Sequence, residues 1–215
     1  MAYVAYHMHR YFKASIFLAC LLPLGRLVWR GFHSGLGANP IEFITHATGD
    51  WTLIFLLVTL AITPLRKLTR QYWLIRFRRM LGLFAFFYGF LHLMTYVWLD
   101  KFFDVHEMLH DIAKRRFITA GMTAFTLMIP LALTSTQWAI RKLGKRWQSL
   151  HRLIYFSAAA GVIHYLWLVK ADLRKPLEYA LVLGMLLLYR VVAWTLARRA
   201  LPNRVVDSER PVAVP

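Results

Sequence analysis

The sequence predicts an all-α integral membrane protein: a six-transmembrane-helix bundle with both termini cytoplasmic. Three observations predict it. Of the 215 residues, 59% are hydrophobic, and the mean hydropathy is +0.46, outside the range of a soluble globular domain. Six apolar stretches, at about 12–30, 48–65, 80–98, 117–134, 150–169 and 177–197, are each long enough to cross a hydrocarbon core. Lys and Arg gather in alternate connecting segments, as orientation signals do. The chain then divides into a cytoplasmic N-terminus (1–11), one transmembrane domain (12–199) and a tail (200–215) with Pro202, Pro211 and Pro215, expected to be disordered. No length remains for a second folded domain.

The formal charge of +17 invites a nucleic-acid reading, but the placement of the charges argues against it. Arg10 and Lys13 precede span one. Arg66, Lys67, Arg70, Arg76, Arg78 and Arg79 fill the second connection. Arg141, Lys142, Lys145 and Arg146 fill the fourth, and Arg198, Arg199, Arg204 and Arg210 follow the last span. All of these fall on one side, which the positive-inside rule makes cytoplasmic. Arg26 and Arg30 run against the rule. The single cysteine, Cys20, excludes an intramolecular disulfide, a CxxC pair and a thiolate-held cluster, so any redox chemistry needs another cofactor. The first apolar run imitates a secretory signal but continues to Trp29 without a small-residue cleavage site; it reads as an uncleaved span.

The imidazoles carry the functional signal. Span five, LHRLIYFSAAAGVIHYLWLVK from Leu150 to Lys170, contains His151 and His164. Thirteen residues of helix would set them ~20 Å apart along the membrane normal. Between them lie Ser157, Ala158, Ala159, Ala160 and Gly161, small enough to admit a flat ligand. Span three carries His92, twelve residues past Met80; His164 lies fourteen past Leu150 in a helix of the same direction. The two imidazoles therefore match in depth toward the outer face. Gly89 and Ala85 clear a strip on the His92 side. Small residues also serve helix packing in membranes, but a depth-matched pair of imidazoles beside them exceeds what packing requires. Ionisable groups at membrane depth mark functional sites, and neutral imidazole is a common axial ligand of haem iron. The expectation is one haem b held by His92 and His164.

Other motifs weigh less. Gly35-Leu36-Gly37 in the first connection is too short for a nucleotide fingerprint and follows no strand. His46 at the outer edge of span two reads as an interfacial hydrogen-bonding residue. His106-Glu107-Met108-Leu109-His110 matches the zinc-protease pattern, yet no Asp or Glu follows between Ile112 and Ala171, and the next histidine, His151, lies across the membrane. The same connection fits a short amphipathic helix on the outer surface: Asp100, Asp104, Glu107 and Asp111 on one side, facing water, and Phe102, Val105, Leu109 and Ile112 on the other, facing lipid. Arg190 in the last span reads as a snorkelling side chain or a propionate partner.

Taken together, Arg78-Arg79-x-Leu81-Gly82-Leu83 leading into Leu91-His92, Thr134-Ser135-Thr136, Lys142-Leu143-Gly144-Lys145-Arg146-Trp147 leading into Leu150-His151-Arg152-Leu153-x-Tyr155, and His164-Tyr165 resemble the ferric-reductase-type transmembrane domain. Leu36-Gly37-Ala38-Asn39-Pro40 and Thr45-His46-x-Thr48-Gly49 narrow the resemblance to the MsrQ/YedZ family, the haem-binding membrane subunits of the bacterial periplasmic methionine sulfoxide reductase system. The resemblance implies an electron conduit in the inner membrane that binds haem b and flavin mononucleotide (FMN). Such a conduit passes electrons from a cytoplasmic flavin reductase or the quinone pool to a periplasmic molybdopterin methionine sulfoxide reductase, supporting repair of oxidised proteins. Sulfoxide reduction itself would occur on the partner. The haem-binding positions it implies are His92, His151 and His164. The related NADPH oxidases place a further His before the one in span three, where this chain has Arg78 and Arg79, so a second haem on His151 would have no evident partner ligand. One haem or two, and flavin or quinone as donor, both stay open. The alternative is a ferric or other metal reductase with a different terminal acceptor.

Overall fold

The computed structural model describes the backbone of residues 2–208 and the side chains of 11–198. The expected N-terminal segment and the disordered tail lie largely outside the described side chains, and residues 209–215 outside the description altogether. Among the described residues the fold is all helical, without strands. Five helical stretches are long and apolar enough to cross a membrane: Tyr11–Phe32 within α1 (Ala2–Phe32), α2 (Pro40–Thr69), Tyr72–Asp100, α5 (Arg116–Leu133) and Arg174–Arg198 within α9 (Arg174–Ser208). The third stretch comprises a 3₁₀ turn, α3 (Ile75–Met94) and a π-helical turn at Thr95–Asp100.

The stretch expected as an unbroken fifth span is interrupted. α6 (Gln137–Leu143) ends at Gly144, α7 (Lys145–Leu150) ends at His151, and α8 starts only at Leu153 and ends at Leu168. Its 16 residues span about 24 Å, just under the usual minimum for a crossing. The break has a local cause. His151 Nδ1 bonds the Trp147 carbonyl at 3.1 Å, and its ring stacks on the Trp147 indole at 3.8 Å between centroids.

Capping sets the start of α2. The Asn39 side chain accepts from the Glu42 N–H and donates to the Glu42 carboxylate, and Pro40 occupies the first helical position, where its missing N–H costs nothing. Side chains from neighbouring helices enter two spans near their prolines. Pro64 cannot donate to the Leu60 carbonyl, and Arg190 of α9 donates there instead, at 2.9 Å. Arg190 thus turns inward to a backbone carbonyl, and its guanidinium lies over the Tyr155 ring. Near Pro23, the Tyr88 hydroxyl inserts into the α1 ladder, donating to the Cys20 carbonyl at 2.9 Å and accepting from the Leu24 N–H at 3.1 Å.

α2 packs along α3 and α5 along α8, and the four enclose the core around Leu56, Leu60, Phe84, Tyr88, Met128 and Ala158. Ser157 of α8, fully buried, donates to the Ala124 carbonyl of α5 at 2.9 Å. Part of the small-residue patch in α8 therefore does serve close helix packing.

α4 (Val105–Lys114) is amphipathic as predicted, with Val105 and Leu109 of its apolar side each 61% exposed and Asp100, Asp104 and Glu107 of the acidic stripe exposed as well. Asp111 departs from that stripe. It is buried beside the equally buried Lys101, with Nζ–Oδ2 at 2.9 Å, and also pairs with Arg115 and accepts from the Tyr96 hydroxyl. Glu107 takes a second Lys101 contact at 2.5 Å, and Asp104 caps the helix by accepting from the Glu107 N–H. A buried ammonium just before the helix draws Asp111 inward, a contact that a helical wheel cannot register.

Candidate cofactor sites

Two cavities open toward opposite ends of the four-helix core. The outer one, ≈ 180 Å³, lies between the first halves of α2 and α5 and the last halves of α3 and α8. His92 of α3 and His164 of α8 meet there, their ring centroids 6.0 Å apart and their planes 78° apart. Depth matching in the sequence anticipated this meeting. Each ring is tied by Nδ1 to a backbone carbonyl on a third helix: His92 to Thr45 of α2 at 2.9 Å, His164 to Phe117 of α5 at 2.6 Å. With Nδ1 donating, Nε2 of each ring keeps its lone pair for a ligand, the arrangement usual for metal-binding histidines. Two metal–nitrogen bonds of ~2 Å plus two ring radii require centroids roughly 6 Å apart, so the pair fits a single metal centre between the rings. Leu53, Leu56, Phe125 and Met128 give the cavity an apolar wall that suits a porphyrin, while His46, Asp50 and Tyr165 also line it. Thr95 Oγ1 bonds the His92 carbonyl at 2.7 Å and receives Thr45 Oγ1 at 3.1 Å, so the ligand turn is anchored to α2 as well.

The second cavity, ≈ 520 Å³, lies at the other end, between the start of α3, the end of α5 and the start of α8. Lys13, Arg76, Arg78 and Arg79 line it with Ser135 and Gln137, and His151 forms part of its wall. His151 Nε2 is buried and has no hydrogen-bond partner. An orphaned buried nitrogen is costly unless a ligand completes it. Among the described residues no other histidine lines this cavity, and His151 is brought together with arginines and not with His92 or His164. Of the basic residues in the family motifs, Arg78 and Arg79 line it; Lys145, Arg146 and Arg152 do not. Met128 borders both cavities, and Phe86 of the inner wall stacks on Phe125 of the outer wall, 5.3 Å apart and 15° from parallel. These three side chains form the partition.

His46 is exposed at the outer mouth and keeps the peripheral role expected of it. Among the described residues His106 and His110 gather no third His, Cys, Asp or Glu that could share a metal ion. Two residues of the outer site escaped the sequence reading as functional: Gly49 and Gly121, each directly against an imidazole.

Residues 48–162 match the family model described as "Ferric reductase like transmembrane component". A protein-methionine-sulfoxide reductase heme-binding subunit MsrQ of Herminiimonas arsenicoxydans is 56% identical over 91% of this chain and 91% of its own length. The MsrQ of Bordetella pertussis is 55% identical over 87% and 92%, and that of Azospira oryzae 59% identical over 84% and 78%. The chain belongs to the MsrQ family. No solved structure matches it. As an MsrQ family member it is a membrane protein, and both cavities fall largely within the residues matched by the ferric-reductase-like model.

Proposed function

We propose that this chain is the haem-binding, electron-carrying membrane subunit of a methionine sulfoxide reductase system in the bacterial inner membrane. It would deliver electrons to a periplasmic molybdopterin-containing reductase. The observation that carries this reading is the facing pair His92 and His164, each with Nδ1 committed to a backbone carbonyl and Nε2 uncommitted. The relatives, named as heme-binding subunits of this system, support it.

In this reading His92 and His164 would hold one haem b through their Nε2 atoms, and the bound haem would supply one-electron transfer. The chain holds the two imidazoles, fixes their tautomer through Thr45 and Phe117, and excludes water with Leu53, Leu56, Phe125 and Met128. The inner cavity takes a second, anionic redox group: Arg76, Arg78, Arg79 and Lys13 suit the phosphate of FMN or the propionates of a second haem, with His151 as ligand or orienting residue. Reductant, whether a cytoplasmic flavin reductase or membrane quinone, approaches from that end. α8 is the sixth span, completed by the flanking non-helical residues, and both termini are cytoplasmic, as the basic segments require. Residues 12–199 are the transmembrane domain.

Absorption spectroscopy of the purified protein tests the reading. A b-type Soret band and a reduced α-band are expected, with haem and flavin content measured separately. Reduced protein mixed with a periplasmic sulfoxide reductase should be reoxidised only when methionine sulfoxide is supplied. Reoxidation by ferric chelates alone would favour the metal-reductase alternative, and a colourless protein would end both.

A further inference from the structure

The two imidazoles of the outer site are seated in the same way on different helices. The carbonyl that accepts from His92 belongs to Thr45, and the residue four positions later on α2 is Gly49. The carbonyl that accepts from His164 belongs to Phe117, and four positions later on α5 stands Gly121. In an α-helix a side chain covers the turn on the N-terminal side of its own Cα. A side chain at 49 or 121 would therefore lie over the carbonyl that the imidazole uses. The contacts bear this out. A Cβ at Gly49 would stand 3.1 Å from both Cε1 and Nδ1 of His92, and one at Gly121 would stand 2.8 Å from Nδ1 and 3.1 Å from Cε1 of His164. Each glycine opens a notch in which the ring reaches a carbonyl of a helix other than its own, and each notch fixes the ring plane at two points.

We propose that Gly49 and Gly121 are positioning residues that lock the His92 and His164 ring planes nearly perpendicular to each other at one iron. This rests on the ligand assignment above and goes beyond it, because two histidines can ligate one iron at any angle between their planes. α2 and α5 approach from different sides, so the two notches turn the rings to 78°. Perpendicular imidazole planes leave two iron d-orbitals close in energy. The oxidised low-spin centre then shows a strongly anisotropic resonance with one large g value, where parallel planes give an ordinary three-line rhombic spectrum.

The test is low-temperature electron paramagnetic resonance of the oxidised protein in lipid nanodiscs, with haem counted by pyridine haemochrome. Wild type is expected to show the single large-g signal, lost in both His92→Ala and His164→Ala. Gly121→Ala should shift it most, Gly49→Ala less, both toward a rhombic spectrum. Gly184→Ala, where a Cβ meets nothing within 4 Å, should leave it unchanged. A rhombic wild-type signal that vanishes in both His variants would keep the ligand assignment and overturn the ring-plane proposal. Wild-type spectra from both Gly49→Ala and Gly121→Ala would equally overturn it. A signal that survives in both His variants would bring down the ligand assignment and this proposal together. Should Gly121→Ala fail to accumulate, the wild-type spectrum and Gly49→Ala still decide.

Discussion

The two ends of the four-helix core solve opposite problems. At the outer end each imidazole has Nδ1 bonded to a backbone carbonyl and Nε2 left over, beside the apolar Leu53, Leu56, Phe125 and Met128. At the inner end one histidine leans on a tryptophan beside four basic side chains, in nearly three times the volume. The outer cavity is organised to fix one geometry, as a preorganised first shell must be. The inner one is organised to attract negative charge and leaves the geometry of its occupant looser. A permanently bound electron carrier suits the first and an exchangeable or anionic group the second.

The largest effect that sharpens this contrast is expected from the outer ligands. His92→Ala or His164→Ala should each abolish the low-spin spectrum of the outer haem, and the double variant should be no worse than the worse single one, since both strip the same iron. Haem content and the reduced α-band measure it. Additive losses would mean two separate centres.

His151→Ala should do the opposite. The outer spectrum should persist, while reduction from the cytoplasmic side slows by at least about tenfold, a loss of roughly 1.4 kcal/mol in the barrier. Stopped-flow reduction of inside-out vesicles reads it. If His151→Ala erased the same spectral component as His164→Ala, the two-cavity assignment would fail.

A smaller effect is expected from the basic wall. Arg78→Gln or Arg79→Gln removes one charge-assisted contact, worth about 1.5–3 kcal/mol, so affinity for an anionic occupant should drop by roughly ten- to a hundredfold. Titration with FMN at two ionic strengths measures it, the loss being clearest at low salt. Equal binding in both variants would show that the anionic group sits elsewhere.

Hydropathy and charge alternation made the helical membrane fold legible, because both depend only on local composition. The meeting of His92 and His164 was legible too, since parallel spans turn sequence offset into depth. The break before α8 was not: it depends on His151 bonding back to Trp147, inside a run that hydropathy reads as continuous. Gly49 lay in a motif that carried the family resemblance, yet its use appears only when α3 is laid against α2. Gly121 belonged to no motif at all, because its partner is forty-three residues away. α4 shows the same limit from another side. The period of its pattern gives two faces, but only Lys101 explains why Asp111 turns inward.

That inward turn supplies the smallest expected effect, and it should leave the haem untouched. Lys101, hydrogen-bonded to Glu107 and Asp111, has its pKa raised and stays charged at every practical pH. The Lys101 hydrogen bond, with Arg115 adding to it, holds the Asp111 carboxyl below its ordinary value. A depressed carboxylate pKa contributes stability that is complete above the unfolded value, near ~3.9, and is lost as pH falls through the folded one. α4 should therefore stay docked from neutral pH down to about pH 4 and loosen only below it. A nitroxide on Leu109→Cys, in a chain with the buried Cys20 replaced by Ser, would report this as increased mobility. Asp111→Asn should give a helix already mobile at neutral pH and indifferent to acid, with the α-band unchanged. Loosening of the parent chain already at pH 5–6 would instead mean that a group other than Asp111 governs the docking. The charged cluster would then not be what holds the outer helix to the bundle.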